Sequence, residues 1–230
     1  MPSTVVHGAF ALLLAAALLK GSYDRRALAV VLVVMAIPEA DTLLGLVMPG
    51  AHRTVGHNFV LPAAAGLLLY YDTRIRDASL LREWVDDWGV RVAWVALFAH
   101  FFAHVFLDWA HLEGVNALWP LHDEFFRLEG ELYVSSREGL VQTFVDIQLD
   151  EETGQRTVDA GSTGTTETVH VNNPVEPDGR RDPGSTEPVD RRFPLAEAGW
   201  QLYLVVAGVF VVAARALQGD DASLSEETEG

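Results

Sequence analysis

The chain contains no cysteine, which excludes disulfides, thiolate metal sites and cysteine nucleophiles. Any metal must therefore be held by His, Asp, Glu, backbone or water. Lysine is nearly absent as well: Lys20 is the only one, and every other basic residue is arginine. No basic patch offsets a formal net charge of −16, so nucleic acid is not an expected partner. A Gly-x-Ser-x-Gly elbow is missing, as is a phosphate-cradling P-loop, which leaves serine-hydrolase and nucleotide-binding mechanisms without support. The N-terminal apolar run Val5–Leu19 does not read as a signal peptide, because its positive charges Lys20, Arg25 and Arg26 follow the run.

Half of the 230 residues are hydrophobic, and they gather in five runs at about 4–19, 27–48, 55–71, 90–109 and 196–214. A straight membrane span needs roughly 20 apolar residues, so the first and third runs are short ones. The expected fold is mainly α: a polytopic membrane helix bundle of about five segments, with a small β-containing insert between segments four and five. The expected domains are a bundle over 1–121, an extramembrane insert over 122–195, a C-terminal helix over 196–218 and an acidic, disordered tail over 219–230. Within the insert, 131–149 and 165–172 are β-branched and partly alternating. They predict a hairpin with Glu151–Gly164 as its turn region, followed by a proline-rich linker over 173–194. The acidic, lysine-poor composition suits a high-salt interior, where carboxylates hold hydration and salt screens their repulsion.

Lys20, Arg25 and Arg26 fall between segments one and two, Arg74, Arg76, Arg82 and Arg91 between three and four, and Arg215 after five, while the arginines of the long 110–195 stretch count for little because long loops translocate largely regardless of charge. By the positive-inside rule these sites are cytoplasmic, which puts the 49–54 turn and the long 110–195 stretch outside. The chain is thus expected to be a multi-pass cell-membrane protein. On that topology His7, Glu39, Asp41, His52, Arg53, His57, His100, His104 and Asp108 all fall at one membrane face. Ionisable groups inside a membrane are costly and usually functional. His and carboxylates arriving from four segments suit a divalent transition metal, zinc or manganese foremost, as one ion or two. His104 and Asp108, four apart, would share a helix face. Pro38 breaks the second segment and turns Glu39 and Asp41 inward. His52 and His57, five apart, would not share a face, which suggests His52 on the loop and His57 in the first helical turn.

The order of these motifs also carries a resemblance. His7 in a first apolar segment, then Pro38-Glu39-Ala40-Asp41, His52-Arg53-Thr54-Val55-Gly56-His57-Asn58, and His104 with Asp108 followed by Gly114 and Trp119-Pro120-Leu121, is similar to the YdjM-type family of membrane-bound metal-dependent hydrolases. The match runs over about 5–121. It implies His7, Asp41, His52, His57, His104 and Asp108 as metal ligands. Glu39 stands where the family has Asp, Thr54 where it has Gly, Gly56 where it has Thr and Asn58 where it has Ser. Glu39 is then a ligand through a longer arm or a general base, and Arg53 a candidate to hold a phosphoryl or carboxylate oxygen. His100 and His111 lie outside the pattern. His122 and His170 read as surface residues.

The expected function is hydrolysis of an ester or phosphodiester by a metal-activated water at the membrane face, with membrane lipid and a small or lipid-like substrate as partners. A divalent-metal transporter, a haem protein using His57 with His104, and a scaffold with a structural His/Asp cluster are the rivals. The apolar inner halves, such as Leu12–Leu19 and Leu28–Val34, argue against the transporter. The carboxylates beside the His residues argue against haem.

Overall fold

A computed structural model describes residues 2–44, 51–111, 113–149, 156–169 and 195–227. The described residues divide into two compact units, one drawn from the ranges Pro38–Leu61 and Val105–Arg192, the other from Pro2–Ile37, Pro62–His104 and Phe193–Gly230.

The second unit is helical. Helix α1 (Thr4–Leu18) starts where the Ser3 hydroxyl accepts from the Val6 N–H, and α2 (Arg25–Ala36) starts where Asp24 accepts from Ala27. Helix α5 begins at Leu80 behind a Ser79 cap and runs to Phe98. It is kinked at Val85 and Asp86, whose backbones leave the helical region. Small and β-branched residues let the helices approach: Ala11, Ala15, Ala27, Val31, Val92, Val95, Ala96, Ala99 and Ala103 are all buried in one core. Helix α7 (Gly199–Glu227) packs on α1, and Arg215 reaches from it to the Ala16 carbonyl at 2.7 Å.

Among the described residues, three helical stretches are long and apolar enough to cross a membrane: Arg25–Leu44, Leu80–Trp109 and Gly199–Gln218. Thr4–Leu18 is apolar but shorter. The first of the long stretches changes character at Pro38, as its lost N–H requires. Helix α2 gives way to a 3₁₀ turn over Ile37–Ala40 and a single α turn, α3 (Asp41–Leu44). The second long stretch contains a π-helical section, Ala99–Val105, before α6 (Phe106–Trp109). The wider π turn shifts the four-residue alignment there, so His100 and His104 meet different partners. His100 bonds the Val34 carbonyl at 3.2 Å, while His104 stacks on His7.

The third apolar run starts later than its sequence suggests. Residues 55–59 are not helical, and α4 occupies Val60–Tyr70, continuing as a π turn to Ile75. Asn58 sets this boundary, because its side-chain oxygen accepts from the Leu61 N–H at 2.9 Å. His57 therefore lies on the loop, not in a first helical turn.

The first unit holds the loop over 51–59, the segment after α6 and the β insert. The insert forms two hairpins and a closing pair where one hairpin was expected. Strand β1 (Phe125–Phe126) pairs with β6 (Ser162–Gly164), β2 (Leu132–Ser135) with β3 (Gly139–Gln142), and β4 (Asp146–Leu149) with β5 (Arg156–Asp159), all antiparallel. Strands β5 and β6 thus fall inside the expected turn region. The run over 131–149 contains its own turn, where the Ser135 hydroxyl accepts from Arg137 and Glu138 N–H groups. The expected strand at 165–172 begins instead as a turn closed by Val169 N–H to the Thr165 carbonyl at 2.8 Å. His170 and the linker over 173–194 lie outside the described residues. Helix α7 runs on to Glu227, through much of the tail expected to be disordered; no proline interrupts it there.

Candidate metal centre

Asp41 opens α3 immediately after the Pro38 break, and both of its oxygens are occupied. The Nδ1–H of His52 donates to Oδ1 at 2.9 Å, and the Nδ1–H of His57 donates to Oδ2 at 2.8 Å. The backbone N–H groups of Arg53 and Gly56 also donate to Oδ2, at 3.1 and 3.2 Å. The whole loop is thus folded around one carboxylate. The Thr42 hydroxyl lies 3.3 Å from the same His52 nitrogen.

Two features of the loop allow this wrapping. Arg53 sits at φ +61, a left-handed conformation uncommon outside glycine. It is held there by Asn116, whose N–H donates to the Arg53 carbonyl at 3.0 Å. Gly56 passes so close to Pro38 that a Cβ on it would lie 2.6 Å from the Pro38 carbonyl oxygen. Glycine at this position, where the family resemblance has threonine, is a steric requirement of the fold. The Phe59 N–H bond to the Ala117 carbonyl at 2.7 Å closes the loop.

Asp108 completes the cluster from α6. One oxygen accepts from Arg53 Nη2 at 2.9 Å, and the other stands 3.2 Å from His57 Nε2. Arg53 Nη1 donates to the Gly114 carbonyl at 3.1 Å. Gly114 is at φ +68, packed so tightly under Phe126 that a side chain has no room. Arg53, His57 and Asp108 are at most 1 % exposed. The substrate-binding role expected for Arg53 meets a different geometry. Its terminal nitrogens are spent on Asp108 and Gly114, and Glu113 lies 3.8 Å away. Glu113 and the Gly114 carbonyl were not singled out by sequence, since backbone acceptors leave no residue-type signal.

Charge decides what this arrangement suits. His57 faces a carboxylate with each ring nitrogen, and a neutral imidazole has one proton to give. With Nδ1–H directed at Asp41, the Nε2 lone pair would meet the Asp108 oxygen lone pairs unless a proton or a metal cation lies between. Zinc bonds of about 2.0–2.1 Å set neighbouring tetrahedral ligands about 3.3 Å apart, close to the observed 3.2 Å. His52 adds a second indication: its Nε2 is buried and without a hydrogen-bond partner among the described residues. The donor set is imidazole and carboxylate, which fits a divalent transition metal.

Buried or half-buried side chains that could hold a metal ion include Glu39, His57 and Asp108 in this unit and His7 and His104 in the other. Glu39 is half-buried on the 3₁₀ turn. His7 and His104 stack with ring centroids 4.2 Å apart and planes within 5°. The Nδ1–H of His7 donates to the Ala103 carbonyl at 2.7 Å, which leaves its Nε2 as the lone-pair nitrogen. His111 is partly exposed beside Glu113, and His122 is exposed and paired with Glu124 at 2.7 Å.

No curated protein and no solved structure matches the chain. The model of one protein family does, that of the YdjM inner membrane protein, over residues 1–161. The matched region takes in the Pro38 break, the loop that wraps Asp41, and Asp108 with its arginine. With three apolar helices of membrane-crossing length and buried His and Asp groups able to hold a metal, the chain belongs to the YdjM inner membrane protein family.

Proposed function

We propose that the protein is a membrane-bound, metal-dependent hydrolase acting on an ester or phosphodiester of small or lipid-like character. The observation that carries this reading is the shared approach of His57 Nε2 and the Asp108 carboxylate, 3.2 Å apart and buried, with the far side of each group already bonded. His52, His57 and Asp108 would hold zinc or manganese, as one ion or two. The stacked pair His7 and His104 stay candidate ligands on the strength of the sequence pattern. When bound, such an ion supplies Lewis acidity and a water of lowered pKa.

The chain's own residues divide the remaining work. Arg53 neutralises and orients Asp108. Glu39, half-buried on the 3₁₀ turn that follows α2, is the candidate to take a proton from water. We further propose five membrane segments, with Thr4–Leu18 and the stretch from Val60 to Ile75 as short spans beside the three long ones. In this topology the metal site faces the extracytoplasmic side, as the arginine distribution favours. Membrane lipid is the expected surrounding and nucleic acid is not a partner. The acidic, lysine-poor composition fits adaptation to high salt.

The test is turnover by detergent-purified protein on chromogenic phosphodiesters and lipid esters. Chelation is expected to lower the rate roughly 100-fold or more, with zinc or manganese restoring it. Turnover that is indifferent to chelation, and equal in a folded His57→Ala/Asp108→Ala variant, would refute the assignment.

A further inference from the structure

The family resemblance makes Asp41 a metal ligand, and the geometry points elsewhere. We propose that Asp41 is a positioning residue outside the coordination sphere, which fixes the tautomer of two histidines at once so that both present Nε2 as the donor. This deepens the metal-centre reading given above and rests on it for its function.

Four donors converge on this one carboxylate: His52 Nδ1–H, His57 Nδ1–H and the backbone N–H groups of Arg53 and Gly56. Each oxygen carries a charge-assisted bond of 2.8 or 2.9 Å, and Oδ2 takes three bonds in all. A carboxylate so engaged has little lone-pair density left for a cation. It has instead the features of a carboxylate–histidine–metal relay, doubled. An imidazole that donates from Nδ1 keeps its lone pair on Nε2. That is the His52 nitrogen found buried with no hydrogen-bond partner among the described residues, and the His57 nitrogen found facing Asp108. The two rings meet edge to face at 5.6 Å, as expected for imidazoles pinned from one anchor.

The isosteric variant Asp41→Asn isolates this role. An amide offers one oxygen and one NH₂ group, so it can accept from only one of the two imidazoles. The other ring must face an N–H donor and move its own proton to Nε2, which removes a metal donor without removing a metal ligand.

The experiment combines zinc titration against a competing chelator with histidine-selective ¹⁵N NMR on the full-length protein in detergent. For Asp41→Asn the expected result is zinc affinity lowered about 10–100-fold, with the wild-type number of ions recovered at saturating zinc. A folded variant that binds fewer ions even at saturation would make Asp41 a ligand and overturn the proposal, as would an affinity equal to wild type. In metal-free wild type, the His52 ring is expected to carry its proton on Nδ1. A proton on Nε2 would overturn the proposal whether or not the variant folds. Should wild type bind no zinc at all, the hydrolase reading falls, and the ¹⁵N result alone still decides the role of Asp41.

Discussion

Arg53→Ala is expected to destabilise the protein by about 3–5 kcal/mol, the usual consequence of breaking a buried ion pair from one side. The guanidinium is fully buried and bonds the Asp108 carboxylate and the Gly114 carbonyl together. Its removal leaves a carboxylate in a water-poor interior beside His57, and a backbone acceptor without a donor. Arg53→Lys is expected to fall between the two. An ammonium supplies the charge, but it is a point donor where the planar fork spans two acceptors in different directions. Thermal unfolding in detergent, followed by tryptophan fluorescence or limited proteolysis, reads the difference. A substrate-binding arginine would behave otherwise: its alanine variant would unfold like wild type and show a raised KM.

Gly56→Ala is expected to have an effect of similar size despite adding a single carbon. The new Cβ would lie 2.6 Å from the Pro38 carbonyl oxygen and 2.7 Å from the Pro38 Cα. Both are backbone atoms, so no side chain can rotate away, and the loop or the proline turn must move. Overpacking of this kind costs roughly 1–3 kcal/mol where a core can yield. Here the segment that yields is the one that delivers His52 and His57 to Asp41, so metal retention should fall together with the unfolding midpoint. Gly21→Ala provides the control, because a Cβ there meets nothing within 4 Å. Equal midpoints for the two variants would show that the close approach of Gly56 to Pro38 is not a constraint in solution.

These two residues also mark where sequence reading stops. The apolar runs, the break at Pro38 and the gathering of Asp41, His52, His57 and Asp108 follow from residue type and spacing, because span length and the cost of buried charge act locally. Gly56 is visible in the sequence only as a departure from a family pattern; its reason is contact with a residue 18 positions earlier. The position of Arg53 is legible, but its left-handed backbone and its partners on α6 and at Gly114 are tertiary facts. A π turn over Ala99–Val105 leaves no periodic trace in the sequence. In the insert, β-branched residues announce strands, yet which strand pairs with which depends on turns such as that at Ser135. The histidine nitrogens are the least legible of all. Asp41 as ligand and Asp41 as anchor share one sequence, and only the hydrogen bonds to Nδ1 distinguish them.

The most direct measurement is the metal content of detergent-purified wild type beside the His57→Ala/Asp108→Ala variant, by elemental analysis after reloading and desalting. The expected result is about one or two equivalents of zinc or manganese in wild type and loss of most of it in a variant that remains folded. Wild type that holds no metal after reloading, or a folded variant that holds as much as wild type, would contradict a metal centre built on His57 and Asp108.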